Sequence, residues 1–385
     1  MARKSKEKKI KFFTRGASDY IILVVVFLLL SIGLIMVLSA SSPSSLSESG
    51  NSYKYFKRQV EAAVIGLIGM YLISKVDYRF YKNFRWVIYF VSIAFLVLVG
   101  VAGTEAGGAR RWIIIGGFNF QPSEFAKIAF ILFYASLLTD LKKNGLINTP
   151  VWGFLYPLAW IGPIFVSLYI LQNHFSATFL ITAVTFVQMF IAGVRFRYFL
   201  IAGGAGITGL SGIMLLKSQS SGGEGFRLTR IQTWLDPFSN PTGDGWQIIN
   251  SLYAIGSGRL FGLGLGQGKQ KYLYLPEPHN DFIFAILAEE LGFIGCAVVI
   301  LLFVIFVWRG IIIALRAPDT FGSLVAIGIV CLIGLQAMMN IAVVTGTIPV
   351  TGVPLPFFSY GGTAMIANLA AVGILLNISK SCEKN

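Results

Sequence analysis

Residues 271–295 read KYLYLPEPHNDFIFAILAEELGFIG. Pro276 and Pro278 stop any preceding helix and hold the chain extended. From Asp281 an apolar run then continues to about residue 307, long enough to cross the roughly 30 Å hydrocarbon core of a bilayer as a helix. Three polar residues, His279, Asn280 and Asp281, stand at the mouth of that run, and Glu289 and Glu290 lie inside it. Ionised groups at membrane depth cost roughly 2.5–3.5 kcal/mol each at a helix centre, so they mark a site rather than a scaffold. An acidic group held at the water–lipid boundary suits chemistry on lipid-linked substrates.

The rest of the chain has the same character. It is 385 residues long, 55% hydrophobic and 12% charged, with a mean hydropathy of +0.73. A soluble chain carries about 25% charged residues, so the fold class is all-α and polytopic. The first apolar run, Tyr20 to Ala40, exceeds a signal-peptide core and is read as a retained first span. Cys296, Cys331 and Cys382 are scattered, which implies neither a disulfide framework nor a metal cluster.

Apolar segments near 19–41, 60–76, 86–103, 122–139, 152–171, 176–194, 199–216, 281–307, 320–345 and 355–378 give ten candidate transmembrane helices. With the amino terminus inside, inside segments hold 19 Lys and Arg and outside segments 11, with Lys127 within a span. That bias places both termini in the cytoplasm and accounts for the net charge of +14 by anchoring rather than by nucleic acid. The expected organisation is a basic cytoplasmic tail over 1–18, one ten-span membrane domain over 19–378, and a cytoplasmic tail over 379–385. One long extracytoplasmic loop, 217–280, opens as the linker-like KSQSSGGEG and becomes rich in Trp, Phe and glycine. Long ordered loops of this kind are usually functional.

Asp281 is the first candidate for chemistry, as a general base; its structural reading is a helix N-cap. Glu289 and Glu290 lie about 100° apart on a helix and read either as site groups or as partners of a neighbouring helix. His279 reads as a proton shuttle or a solvated turn residue. Glu124 and Lys127, at i and i+3 after Pro122, share a helix face and predict an ion pair within the span. Arg110, Arg111, Arg227, Arg230, Arg259, Lys269 and Lys271 all fall outside; their groups suit phosphate oxygens, or else lipid headgroups and nearby carboxylates. The glycines from 256 to 268 do not make a phosphate-binding loop, because Leu263 and Gln270 occupy its required Gly and Ser/Thr positions. No G-x-S-x-G or H-E-x-x-H occurs. The proline- and glycine-rich ending, 346–362, breaks helical structure at a membrane edge and is expected to pack on the 217–280 loop.

Taken together, GARRWI with QPSEFAK, WLDPF with GDGWQ and AIGSG, LPEPHNDFIFAILAEELG, and GTIPVTGVPLPFFSYGG resemble the SEDS family (shape, elongation, division and sporulation). The ending with AVGILLN looks closer to its division and sporulation branch. The resemblance implies a peptidoglycan glycosyltransferase that polymerises lipid II at the outer face of the bacterial cytoplasmic membrane. It implies a class B penicillin-binding protein as partner, an essential aspartate at Asp281, and functional residues at Arg111, Glu124 and Lys127. With Arg227, Arg230, Gln247, Arg259, Lys269 and His279 these form the expected substrate-binding set. The chain departs from the family in the turn QNHFSAT, where Asn173 and His174 replace Pro and Asp, and in H-N-D for H-T-D. No cofactor is required by the sequence; Mg²⁺ or Mn²⁺ could join through Glu277, Asp281, Asp236 and Asp244. A transporter of lipid-linked precursor fits the broken helices, although polar groups cluster on the outer side and no internal repeat is evident. A non-catalytic division scaffold is the third reading.

Overall fold

The structure, a computed structural model, describes residues 18–106, 109–115, 118–201, 233–239, 241, 243, 245–272 and 274–382. It is a helical bundle: α1 Tyr20–Ser49, α2 Lys54–Ile73, α3 Arg79–Asn83, α4 Arg85–Ala102, α5 Pro122–Lys143, α6 Pro150–Leu171, α7 Phe175–Ala192, α8 Trp246–Gly258, α9 Ile283–Arg316, α10 Thr320–Val344 and α11 Gly362–Ser381. Seven of these, α1, α4, α6, α7, α9, α10 and α11, are long and apolar enough to cross a membrane. Helices α2 and α5 have spanning length but carry more charge, including Lys54, Lys57, Arg58 and Glu61 in one and Glu124, Lys127 and Asp140 in the other. Helices thus stand at nine of the ten expected segments; most of 199–216 lies outside the described residues. The chain is a multi-pass membrane protein.

The wide apolar coverage explains why lipid-facing residues such as Ile68, Phe90 and Leu301 remain exposed while α10 is closed in by its neighbours. Helix α10 packs on α9, α7 and α5; α11 packs on α2, and α1 on α9. One end of the bundle is fixed by ion pairs: Arg309 Nε–Asp19 Oδ2 at 2.6 Å, Arg79 Nε–Asp319 Oδ2 at 2.9 Å and Lys82 Nζ–Asp140 Oδ1 at 3.1 Å. The opposite end carries the loops with the candidate site residues.

Two features of that second end depart from plain helix. Residues Thr104–Ala106, Ala109–Ile115 and Phe118–Phe120 form β1, β2 and β3, a small antiparallel meander. The β-branched run after Trp112 favours a strand, and glycines separate the strands. Helix α9 breaks at Gly292, where φ is 67° and ψ −167°. The loop before α9 completes the broken ladder. Leu263 and Gly264 donate to the Glu289 and Glu290 carbonyls, and Phe293 and Ile294 donate to the Arg259 and Leu260 carbonyls. Non-helical backbone at membrane depth persists where protein satisfies it, and residues 259–264 do so here.

Candidate active site

Three consecutive carbonyls fix the H-N-D segment. His279 accepts from the Tyr360 N–H at 2.8 Å, Asn280 from Ser359 Oγ at 2.7 Å, and Asp281 from Asn340 Nδ2 at 2.7 Å. The same Asn340 amide donates to the Val353 carbonyl at 2.8 Å. Gln59 secures the other side by donating to the Ser359 carbonyl and accepting from the Gly361 N–H, both at 3.1 Å. The final loop is therefore clamped over the start of α9.

The carboxylate of Asp281 is free of the structural duty that the sequence allowed. The residue before α9 is Phe282, with no side-chain capping bond, and Asp281 makes no side-chain hydrogen bond among the described residues. Burial pushes its carboxyl up to about 6; Glu277 adds to the rise and Arg111 opposes it. A Cβ placed on Gly352, whose φ is +67°, would meet Asp281 Oδ2 at 3.3 Å, so the final loop runs directly beside the carboxylate.

Around that point stand Arg111, Glu124, Lys127 and His174. Arg111, on β2, donates from Nη2 to the Asn173 carbonyl at 2.9 Å; Asn173 has φ 50°. Lys127 Nζ lies 2.9 and 2.8 Å from the two Glu124 oxygens, and both residues are buried. The i, i+3 spacing at the top of α5 produces the pair directly. His174 is buried, and burial with the nearby charges of Arg111 and Lys127 drives its pKa well below the ordinary value. Its Nδ1 and Thr351 Oγ1 are buried polar atoms without a partner among the described residues. Buried polar atoms are otherwise almost always paired in folded proteins.

His279 is not a solvated turn residue. It is buried, its ring lies 4.6 Å from Tyr55 and 5.6 Å from Tyr360, and burial lowers its pKa to about 4. A neutral imidazole therefore packs under the segment, with Nε2 3.6 Å from Glu277 Oε2. Glu277, pushed up by burial and Glu48, also accepts from Asn280 Nδ2 at 2.7 Å.

Glu289 and Glu290 serve one loop despite their angular separation. Glu290 accepts from Lys271 Nζ and Ser39 Oγ, each at 2.7 Å, and from the Gly266 N–H at 3.0 Å. Glu289 accepts from the Lys269 N–H at 2.8 Å. Both carboxylates are buried and hold residues 264–271 against α9. Lys271, expected outside with the other cations, is buried in this cluster.

Arg259 and Lys269 share a second cavity of about 830 Å³ with Gln270 and Glu289; among the described residues its walls include neither Asp281 nor Arg111. Gln247 is half-buried near the start of α8. That helix meets the end of α10, where Ser251 Oγ donates to the Val344 carbonyl at 2.7 Å, and Trp234, earlier in the long loop, donates from Nε1 to the Gly346 carbonyl in the final loop at 2.8 Å. The long loop and the ending thus pack together, as the sequence predicts. Arg227, Arg230 and Asp244 lie outside the described residues, as do residues 1–17. Among the described residues no three of His, Cys, Asp and Glu converge.

Sequence reading passes over Asn340, Ser359, Gln59 and Tyr55. Asn340 left a signal: with Gln336 it puts two amides one turn apart in an apolar helix, and both are buried. Polar groups so placed face protein rather than lipid.

The comparisons with known proteins agree along the full length. The family described as "Cell cycle protein", covering FtsW, RodA and SpoVE, matches residues 19–384. Stage V sporulation protein E of Bacillus subtilis is 44% identical over 95% of this chain and 98% of its own. A probable peptidoglycan glycosyltransferase FtsW of Trichlorobacter lovleyi is 42% identical over 96% and 95%. Among solved structures, a chain from work on the structural coordination of polymerization and crosslinking by a peptidoglycan synthase complex aligns with a TM-score of 0.75, at 28% identity over 94% of this chain and 98% of that one. The rod shape determining protein RodA of Thermus thermophilus aligns with a TM-score of 0.69, at 27% identity over 96% and 99%. A profile matched from the first helix to the last residues, with the fold of solved relatives, means that this chain belongs to the FtsW/RodA/SpoVE family of cell cycle proteins.

Proposed function

We propose that this chain is a peptidoglycan glycosyltransferase that polymerises lipid II at the outer face of the bacterial cytoplasmic membrane, serving division or sporulation. The observation that carries the reading is Asp281: a carboxylate with no capping role, half-buried and close enough to Arg111 to feel its charge, at the end of the bundle opposite the Asp19–Arg309 tie. The names of the relatives, a peptidoglycan glycosyltransferase and a sporulation protein, support the same activity.

In this mechanism the acceptor sugar hydroxyl of lipid II attacks C1 of the donor sugar. Its proton passes to the Asp281 carboxylate, a base contribution worth typically 10²–10⁴-fold. The C1–oxygen bond to the diphosphate breaks, and its electron pair leaves with undecaprenyl pyrophosphate. Arg111 and Lys127 stabilise that developing charge, with Glu124 fixing Lys127. Attack opposite the leaving group inverts an α-linked donor to a β-linked strand, with no covalent sugar–enzyme step. A divalent cation such as Mg²⁺ or Mn²⁺ would be held through the oxygens of Asp281 and Glu277 and would supply positive charge to the leaving diphosphate.

The partner that fits is a class B penicillin-binding protein, which would cross-link the strand; the similarity to a synthase complex for polymerization and crosslinking supports this pairing. Both termini are assigned to the cytoplasm by the charge bias. The test is Asp281→Asn in purified protein supplied with lipid II. Polymer formation stops while folding is retained; polymerisation at the wild-type rate refutes the role. Translocation of lipid II without polymer would identify a flippase, and neither activity, alone or with its partner, a scaffold.

A further inference from the structure

Helices α2 and α11 pack closely along the bundle. A Cβ on Gly66 would lie 2.5 Å from Leu369 Cδ1, and one on Gly373 would lie 2.7 Å from the Met70 carbonyl oxygen. At the outer end this pair carries the clamp of Gln59 on Ser359 and Gly361. At the cytoplasmic end each helix brings a lysine to the same place. Lys380 Nζ donates to the Ser74 carbonyl at 2.7 Å and lies 3.3 Å from Ser74 Oγ, and Lys75 is the next residue. Both lysines are half-buried, and their charges are near enough to act on each other. Tyr78 ties the same corner to the ion-paired end of the bundle, donating from N–H to Asn377 Oδ1 at 2.9 Å and from its hydroxyl to Asp319 Oδ2 at 2.6 Å.

The carboxylates nearby are committed to other cations. Four are described at this end: Asp19 holds Arg309, Asp140 holds Lys82 and Arg85, and Asp77 and Asp319 share Arg79. Among the described residues neither Lys75 nor Lys380 has a carboxylate within ion-pair distance. Nor is the Lys75 ammonium needed to close the end of α2. The Met70, Leu72 and Ile73 carbonyls accept the N–H groups of Ser74, Lys75 and Val76, and the Ser74 carbonyl accepts from Asn377 and Lys380. Instead it stands 5.0 Å from the centre of the Tyr71 ring. Tyr71 and Leu72 are 60% and 58% exposed, so apolar surface open to the bilayer adjoins the two cations.

Two ammonium groups held together without a counter-ion repel each other, and an anion between them removes that cost. Basic pockets between spanning helices on the cytoplasmic side suit anionic lipid headgroups, and lysine binds phosphate oxygens as a point charge. The exposed Tyr71 and Leu72 select an anion that carries acyl chains over a soluble one. We propose that Lys75 and Lys380 hold the phosphate of an anionic phospholipid of the inner leaflet, with its chains against Tyr71 and Leu72. Such a lipid would bridge the cytoplasmic ends of the two helices whose outer ends meet at Gln59.

The test is native mass spectrometry of the full chain in detergent, titrated with phosphatidylglycerol and, separately, with zwitterionic phosphatidylcholine. Wild-type protein binds one phosphatidylglycerol in preference to phosphatidylcholine. Lys75→Gln with Lys380→Gln weakens that binding about thirtyfold, roughly fivefold for each cation. Lys75→Arg with Lys380→Arg restores it. Lys75→Gln alone removes a side chain that makes no hydrogen bond among the described residues; it gives the fivefold share and guards against a fold defect in the double variant. Lys142→Gln with Lys143→Gln, exposed cations of the same face, leaves the binding unchanged. Equal affinity of wild-type protein for the two lipids overturns the proposal. An equal loss in the Lys142 and Lys143 variant also overturns it, since the attraction would then be diffuse, and displacement of the lipid by inorganic phosphate would make the place a soluble-anion site. The site stands apart from the chemistry at Asp281, so Asp281→Asn binds phosphatidylglycerol as the wild type does.

Discussion

The amide of Asn340 joins the carbonyls of Asp281 and Val353, at 2.7 and 2.8 Å. One side chain on α10 thereby sets the start of α9 against the final loop, and the position of the carboxylate depends on a residue that need not touch substrate. Asn340→Leu leaves two buried carbonyls unpaired, a cost of about 1–3 kcal/mol each at most. Thermal unfolding should show that loss. Polymerisation should fall at least tenfold in protein still folded at the assay temperature, and Asn340→Gln should not restore it, because its amide stands one methylene farther out. Full activity in Asn340→Leu would remove the positioning role.

The pH dependence follows from Asp281. The ionised form is the base, and burial raises its pKa to about 6. Hence kcat/KM is full above that value and falls about tenfold per unit below it. His279, lowered to about 4, stays neutral across this range and adds no limb. The loss is not unfolding caused by Asp281: a carboxyl raised in the folded state binds its proton more tightly there, so acidification through this range stabilises the fold. Rate and melting profiles measured together from pH 5 to 8, as an assay range of about three units, check both signs.

Breaking the Glu124–Lys127 pair from one side leaves a buried charge, at a cost of about 3–5 kcal/mol. Lys127→Met should therefore destabilise the protein strongly. Adding Glu124→Gln removes the stranded carboxylate and restores melting behaviour. Polymerisation should stay absent in the folded double variant; its recovery would make the pair purely structural.

Gly352→Ala places a methyl 3.3 Å from Asp281 Oδ2 at a φ of +67°. The new group crowds the face from which an acceptor hydroxyl reaches the carboxylate, and the backbone conformation disfavours it. A polymerisation loss of tenfold or more, with undecaprenyl diphosphate binding retained, is the expected result. Equal loss of both would point to a displaced loop.

Hydrophobic runs determined the helices, since a segment that meets lipid must be apolar and close its own hydrogen bonds. They also located Asp281 at a helix mouth, and i, i+3 spacing made the Glu124–Lys127 pair legible because one helix contains both partners. The meander at 104–120 was hidden in a glycine-broken loop. Only the tertiary structure decided what Asp281 does not do: it caps nothing, because α9 begins after Phe282. It also divided the outer cations, taking Lys271 into a buried pair and giving Arg259 and Lys269 their own cavity. Sequence spacing cannot sort these groups. The N–H groups that receive Glu289 and Glu290 belong to a loop folded back on the break at Gly292. A polar group's partner is set by which donors the distant chain brings to it, whereas burial against lipid is written residue by residue.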